Sequence, residues 1–132
     1  MRGSLAVRVP PGPWSAYRLA DAEAAVGALA RAGVPVLAGT NAPGPGTAHG
    51  ASLHRELELL VASGLCPVEA LASATSTPAR VFGLHDRGRI AVGLRADLLL
   101  VDGDPSADVR ATRAVAGVWK LGVSHVWPAD TR

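Results

Sequence analysis

Apolar positions in the first two thirds of the chain recur with the spacing of helices. Four of them fall at i, i+4, i+7 and i+8 and predict an amphipathic helix from Ser52 to just before Gly64: Leu53, Leu57, Leu60 and Val61. Residues that typically begin or end helices predict three more. The first spans Asp21 to Ala32 and ends at Gly33, the second begins at Pro67, and the third runs from Thr77-Pro78 to Gly83.

An apolar run without alternation, Val34 to Ala38, follows the first predicted helix. Such a run is typical of a parallel strand that is covered on both faces. Pro35 lies near its start, where a missing backbone donor costs least. Thr40 and Asn41 come next, at the strand's carboxyl end, which is the edge of parallel α/β folds where ligands bind and catalysis occurs. This edge is therefore the first candidate functional site.

The pattern changes at His85, after which glycines, aspartates and short apolar runs predict β structure. Strands are predicted over residues 88–92, 96–101, 115–120 and 123–126, with turns at Asp102-Gly103-Asp104-Pro105 and Leu121-Gly122. The predicted organisation is an irregular lead-in over residues 1–18, with an extended piece at 5–9, then an α/β part over 19–84 and a small β part over 85–132.

Composition narrows the classes of function. A chain of 132 residues fits one domain, or a small domain with an appendage, and neither a membrane span nor a secretory signal is expected. The single Cys66 excludes an internal disulfide and fits a reducing cytoplasm. The basic residues are scattered arginines, apart from Lys120, so nucleic-acid binding is not expected. The abundance of Ala, Gly, Arg and Pro suggests a GC-rich bacterial source.

Two histidines, His49 and His54, accompany Thr40 and Asn41 near the candidate edge. Their spacing of five differs from the i, i+4 pair of a helical zinc site, so no metal site is predicted from them. Each of the four residues has two interpretations: a contact to a substrate, or a structural residue in a turn or a packed helix. Three further features are interpreted as structural, namely Cys66 as a helix cap, Asp97 as a partner of local backbone, and Arg55, Glu56 and Glu58 as a solvated helix face.

Four motifs in order, AGVPVLAGTNA, HGASLHRELELLVASGLCPVEALASATSTPARVFGL, DRGRIAVGLRADLLLVDGDP and VAGVWKLGV, together resemble the carboxyl-terminal end of the amidohydrolase superfamily. The resemblance covers residues 20–123 and is closest to the imidazolonepropionase- and prolidase-like branch. It implies metal-dependent hydrolysis of C–N bonds with zinc or another divalent ion, on a (β/α)8 barrel with a small β-sandwich domain. The expected fold is accordingly α/β: the last barrel strand (34–38) with its helices, then a β-sandwich-type segment.

Two departures from the family pattern change the expected activity. The family's HxH pair is absent, and Asn41 stands where the family carries an aspartate that binds metal and accepts a proton. A neutral amide is a weak metal ligand and cannot act as that base. We therefore expect the chain alone to bind no metal and to be inactive, with an amide substrate only if another chain complements it. The alternative is an interaction module that pairs through the exposed strand with a second copy or another chain.

Overall fold

A computed structural model of the chain describes residues 18–125. Four helices come first: α1 (Leu19–Arg31), α2 (Ala51–Ala62), α3 (Pro67–Ala74) and α4 (Ser76–Val81). They are followed by β1 (Leu98–Val101), a 3-10 helix (Val109–Arg113), β2 (Val115–Lys120) and β3 (Val123–His125). The predicted order of a helical part and a β part is thus present, whereas the predicted lead-in, apart from Arg18, and the end of the last strand lie outside the described residues. No helix among residues 18–125 combines the length and apolar character that a membrane crossing requires.

Local signals account for where the helices begin and end. α1 begins two residues before Asp21, whose carboxylate accepts the amide of Arg18 at 3.3 Å from within the first turn. Its end is a Schellman motif, because Gly33 has φ of 76° and donates to Ala30 while Val34 donates to Leu29. The predicted glycine stop of this helix is confirmed.

The described core lies between the helices. Its buried members come from α2, the α2–α3 connection, α3 and the 3-10 helix: Leu57, Leu60, Leu65, Ala70 and Val109. Val36 and Ala38 pack against this cluster from the segment that follows α1. Val109 therefore joins the β part of the chain to the helical core. The local sequence pattern did not predict this contact.

Residues 34–41, here called the edge segment, do not form the predicted buried strand. No strand among the described residues pairs with the segment, and Val34 is 45% exposed. A parallel strand becomes buried only when neighbouring strands and helices cover it. The helical core covers Val36 and Ala38 only in part and leaves Val34 exposed.

Among the described residues the β part is one three-stranded antiparallel sheet in the order β1-β2-β3, and the β-sandwich-type arrangement stays a prediction. Leu98 lies opposite Trp119, and Lys120 opposite Val123. Leu121 and Gly122 both have positive φ, of 54° and 76°, as the tight two-residue hairpin requires, so the predicted turn is confirmed.

The strand predicted over residues 88–92 is wrong. These residues form bends and turns, and Ile90 and Val92 are 88% and 105% exposed. The apolar run from Ile90 to Val92 favours a strand, but a strand needs a paired neighbour, and none of the described strands pairs with these residues.

Candidate functional site

The edge segment is positioned by helices at both of its ends. The Schellman motif of α1 fixes the direction in which the chain leaves that helix. Further along, the amide of Ala38 donates to the carbonyl of Ser73 on α3 at 3.0 Å. Ser73 is 2% exposed, and its hydroxyl donates to Ala70 at 2.6 Å. Thr40 and Asn41 therefore follow a stretch that is anchored on the helical core.

Asn41 has the left-handed backbone conformation, with φ of 49°, and its side chain is exposed. Asparagine is among the few residues that tolerate this conformation. Thr40, beside it, is half-buried. The conformation fits the turn interpretation of Asn41, while the exposed amide leaves a substrate contact chemically open to it.

The loop after Asn41 is held by its own hydrogen bonds. The hydroxyl of Thr47 accepts the amide of Gly44 at 2.8 Å and donates to the Gly44 carbonyl at 3.1 Å. Ser52 accepts the amide of Ala48 at 2.9 Å, just before α2. His49 lies on this loop and is exposed, and the described residues offer its side chain no hydrogen-bond partner.

His54 is one turn into α2 and is tied to the 3-10 helix. Its Nδ1 lies 3.1 Å from the hydroxyl oxygen of Thr112, which is itself 5% exposed. That hydroxyl donates its hydrogen to the carbonyl of Val109 at 2.8 Å. The Thr112 oxygen must therefore accept from His54, which assigns the ring proton to Nδ1. The packing and hydrogen-bonding interpretation of His54 is thus the one that its contacts favour.

Glu58, four residues further along α2, makes a second link to the 3-10 helix. Nε of Arg113 donates to its Oε1 at 2.6 Å, and Nη1 of Arg55 donates to its Oε2 at 2.9 Å. The Glu58 side chain is only 16% exposed, so our interpretation of this face as solvated is wrong at Glu58. Arg113 is 55 residues away in sequence, and nothing in the local pattern indicates that it folds back onto α2.

These contacts shift two pKa values in physically simple directions. Burial lowers the pKa of His54 below 6.5, and the positive charge of Arg113 lowers it further, against a smaller opposing effect of Glu58. The hydrogen bonds from Arg113 and Arg55 hold the pKa of Glu58 below 4.5. At neutral pH the face of α2 that meets the 3-10 helix therefore carries a neutral imidazole and an ionised carboxylate.

The donor groups of the described chain do not fit a metal ion. No three side chains among the histidines, cysteines, aspartates and glutamates of residues 18–125 come together as a ligand group. At the candidate edge Asn41 offers only an amide oxygen, and His54 already engages Thr112. A divalent metal at this edge would need ligands from elsewhere.

The other residues singled out from the sequence have structural contacts. Cys66 is the N-cap residue of α3, as predicted, and its amide donates to Glu69 at 2.7 Å. Asp104 accepts from the amide and the hydroxyl of Ser106, as expected of a turn. Asp97 was expected to bond local backbone, but it accepts the amide of Leu121, 24 residues away, at 2.8 Å. It therefore joins the start of β1 to the β2–β3 turn.

Solved structures of amidohydrolases built on (β/α)8 barrels superpose on 79% and 81% of this chain. A Xaa-Pro dipeptidase with methionine bound in its active site superposes with a TM-score of 0.71 and 28% identity, over 78% of this chain and 25% of that one. Phenylurea hydrolase B superposes with a TM-score of 0.63 and 29% identity, over 76% of this chain and 26% of that one. The described residues thus match one part of a barrel hydrolase.

The chain belongs to the amidohydrolase family, whose profile matches residues 15–127. An imidazolonepropionase from Cereibacter sphaeroides is 36% identical over 121 residues, which cover 91% of this chain. An N-acyl-D-glutamate deacylase from Alcaligenes xylosoxydans xylosoxydans is 46% identical over 72 residues, or 54% of this chain. The matched regions amount to 28% and 14% of the lengths of those two relatives, so the chain corresponds to a minor part of each.

Proposed function

We propose that this chain is the carboxyl-terminal part of a hydrolase that cleaves C–N bonds, and that the edge segment supplies one side of its active site. The observation that carries the proposal is the family match, which spans residues 15–127 and so includes the edge segment. In this proposal Asn41 takes the position of the family's aspartate, as the resemblance of AGVPVLAGTNA to the family motif implies. The relatives' names support the type of bond, since a deacylase, a dipeptidase and a phenylurea hydrolase act on amide, peptide and urea compounds.

The chain by itself is inactive in this proposal. A hydrolysis of this kind needs a group that activates water and one that stabilises the developing oxyanion. The neutral amide of Asn41 cannot take a proton from water, and the described donors do not gather around it. The remaining catalytic groups would come from other barrel strands, in a longer chain or in a complex.

Metal analysis and an activity panel test the inactivity of the isolated chain. After dialysis against zinc the chain is expected to retain far less than one zinc per molecule, and to leave an N-acyl amino acid, a Xaa-Pro dipeptide and a phenylurea unchanged. The variant Asn41→Asp is the matched control, because it restores the carboxylate without adding other ligands, and it too is expected to be inactive. Zinc near one per chain, together with hydrolysis that stops on chelation, would contradict this part of the proposal.

A hybrid enzyme tests the placement of Asn41. Residues 20–123 would replace the corresponding region of an imidazolonepropionase, once with Asn41 and once with Asn41→Asp. We expect the aspartate hybrid to be more active by about 10²–10⁴-fold, which is the usual contribution of a general base. If both hybrids fold and have the same activity, Asn41 does not lie at the reacting edge.

A second candidate function, association through the edge segment, is favoured by its backbone. Among the described backbone hydrogen bonds, only the amides of Val34 and Ala38 use this segment as donor, and both bonds go to helices. Unpaired amides and carbonyls next to apolar side chains can take up a strand from another chain. The partner would be a second copy of this chain or a complementing chain with the missing barrel strands.

Light scattering at micromolar concentration tests this association. The unmodified chain is expected to have the molar mass of a dimer or a larger species. The variant Leu37→Pro is expected to shift the molar mass toward that of the monomer, because proline removes a backbone donor. Leu37→Val is the control, since it keeps the donor and the strand propensity. A monomeric unmodified chain, or equal effects of the two variants, would contradict pairing through this segment.

A further inference from the structure

A basic cavity in the described part of the chain lies outside the candidate active site. It has a volume of about 340 Å³ and opens between α4 and the loop that follows it. Its polar lining residues are three arginines, a histidine, a serine and a threonine: Arg80, Arg87, Arg89, His85, Ser76 and Thr77. Neither the family resemblance nor the proposed hydrolysis gives these residues a role.

The loop that carries these side chains is held against α4 by close packing. Gly88 has φ of 87°, and a Cβ at this position would come within 2.5 Å of the Ala79 Cβ and 2.8 Å of the Thr75 carbonyl. Two backbone hydrogen bonds of 2.7 Å also hold this loop. The amide of Leu84 donates to the carbonyl of Ala79, and the amide of Arg95 donates to the carbonyl of Asp86. The cavity wall is therefore a fixed feature of the fold, and only glycine fits at its closest point.

The arginines that line the cavity outnumber the carboxylates paired with them. Arg87 is engaged with Asp86, through bonds of 2.8 and 3.1 Å that raise the pKa of its guanidinium. Arg80 and Arg89 form no ion pair within residues 18–125. Arg80 also borders a neighbouring groove that Glu69 lines, but the two side chains form no ion pair among the described residues. Three guanidiniums and one carboxylate leave a formal charge of +2 with His85 neutral, which matches a doubly charged anion.

The form of the donors favours a tetrahedral anion. A planar carboxylate is satisfied by a single arginine fork, as Asp86 is by Arg87. Here two more arginines, a serine and a threonine line the same cavity, from a helix on one side and a loop on the other. A phosphate group has enough acceptor oxygens in three dimensions to use donors from both sides.

We propose that this cavity is a binding site for a phosphate group, either inorganic phosphate or the phosphate end of a small ester. Arg80 and Arg89 bind the anion directly, and Arg87, which Asp86 holds in place, borders it. The site is independent of hydrolysis at the edge segment, so it stands or falls separately from the proposed function.

An NMR titration of the full 132-residue chain tests the site. Inorganic phosphate, glycerol 2-phosphate and succinate are added separately at low, constant ionic strength, because salt screens exposed charges. We expect saturable shifts confined to residues 76–89 with both phosphates, and about tenfold weaker binding of succinate. Equal binding of both phosphates would identify a phosphate group on a larger molecule, and binding of inorganic phosphate alone would identify the free ion.

Matched arginine variants make the test specific. Arg80→Gln and Arg89→Gln are each expected to weaken phosphate binding by about tenfold, because each removes a charge-assisted donor. Arg110→Gln removes the same formal charge from an exposed arginine outside the cavity and is expected to change binding less than twofold. An unchanged spectrum away from the substitution verifies the fold of each variant. Equal weakening by Arg110→Gln, succinate binding as tight as phosphate, or no saturable shift would overturn the proposal.

Discussion

Gly27, in the middle of α1, is where a single methyl group should disturb the fold most clearly. It is buried, and a Cβ added there would lie 2.3 Å from the carbonyl oxygen of Ser63. In an exposed helix Gly→Ala stabilises by about 1 kcal/mol. Here the added carbon meets backbone at the capped end of α2, where Ser63 is bonded twice to Leu59, so no rotamer change relieves the overlap. Overpacking costs about 1–3 kcal/mol, and such a short approach belongs at the upper end.

The expected net effect of Gly27→Ala is therefore a loss of about 2 kcal/mol in the free energy of unfolding. Urea unfolding followed by circular dichroism measures it, and with a slope of about 2 kcal/mol per M the midpoint should fall by about 1 M. Gly39→Ala is the matched control, because Gly39 has no positive φ and no atom within 4 Å of an added Cβ. It is expected to be neutral or stabilising by up to about 1 kcal/mol. If Gly27→Ala is as stable as Gly39→Ala, the close approach of α1 to α2 is not as described.

Three further predictions concern the core and the junction between α2 and the 3-10 helix. His54 has a folded-state pKa below its unfolded value of 6.5, so the unfolded chain takes up the proton first. The free energy of unfolding should therefore fall as the pH drops below about 6.5. Unfolding curves measured across pH should lose this decrease in the variant His54→Gln. Glu58 also has a lowered pKa, so its stabilising contribution should be complete above pH 4.5 and disappear as the pH falls through the folded-state pKa, and Glu58→Gln should flatten the acid limb. Leu60→Ala should lower the free energy of unfolding by about 2–5 kcal/mol, because Leu60 is 4% exposed. Leu59→Ala should lower it less, because Leu59 is half-buried, and equal losses in urea unfolding would refute the described core.

Helix ends and tight turns were predictable because their causes are local. Pro67 begins α3 as expected, and Gly33 ends α1 through hydrogen bonds within five residues. Leu121-Gly122 makes its hairpin because the two-residue turn demands positive φ. Such signals need no knowledge of what else packs nearby.

The features that the sequence did not reveal all depend on distant partners. A strand over 88–92 and a strand in the edge segment would each need another strand to pair with, and the described residues provide none. The bonds from His54 to Thr112 and from Arg113 to Glu58 span 58 and 55 residues. Long-range pairs leave no periodicity in the sequence. The local pattern therefore predicted a solvated Glu58 and left two interpretations of His54.

Conformation and chemistry make separate demands at Asn41. The left-handed backbone there is compatible with asparagine and aspartate alike, since both short polar side chains can bond locally in that region. The fold therefore does not dictate an amide over a carboxylate, and the same turn would accept an aspartate. What differs is the charge, because only the carboxylate can hold a cation or take a proton. A carboxylate in place of the Asn41 amide would thus alter what the edge can do while leaving its backbone in place.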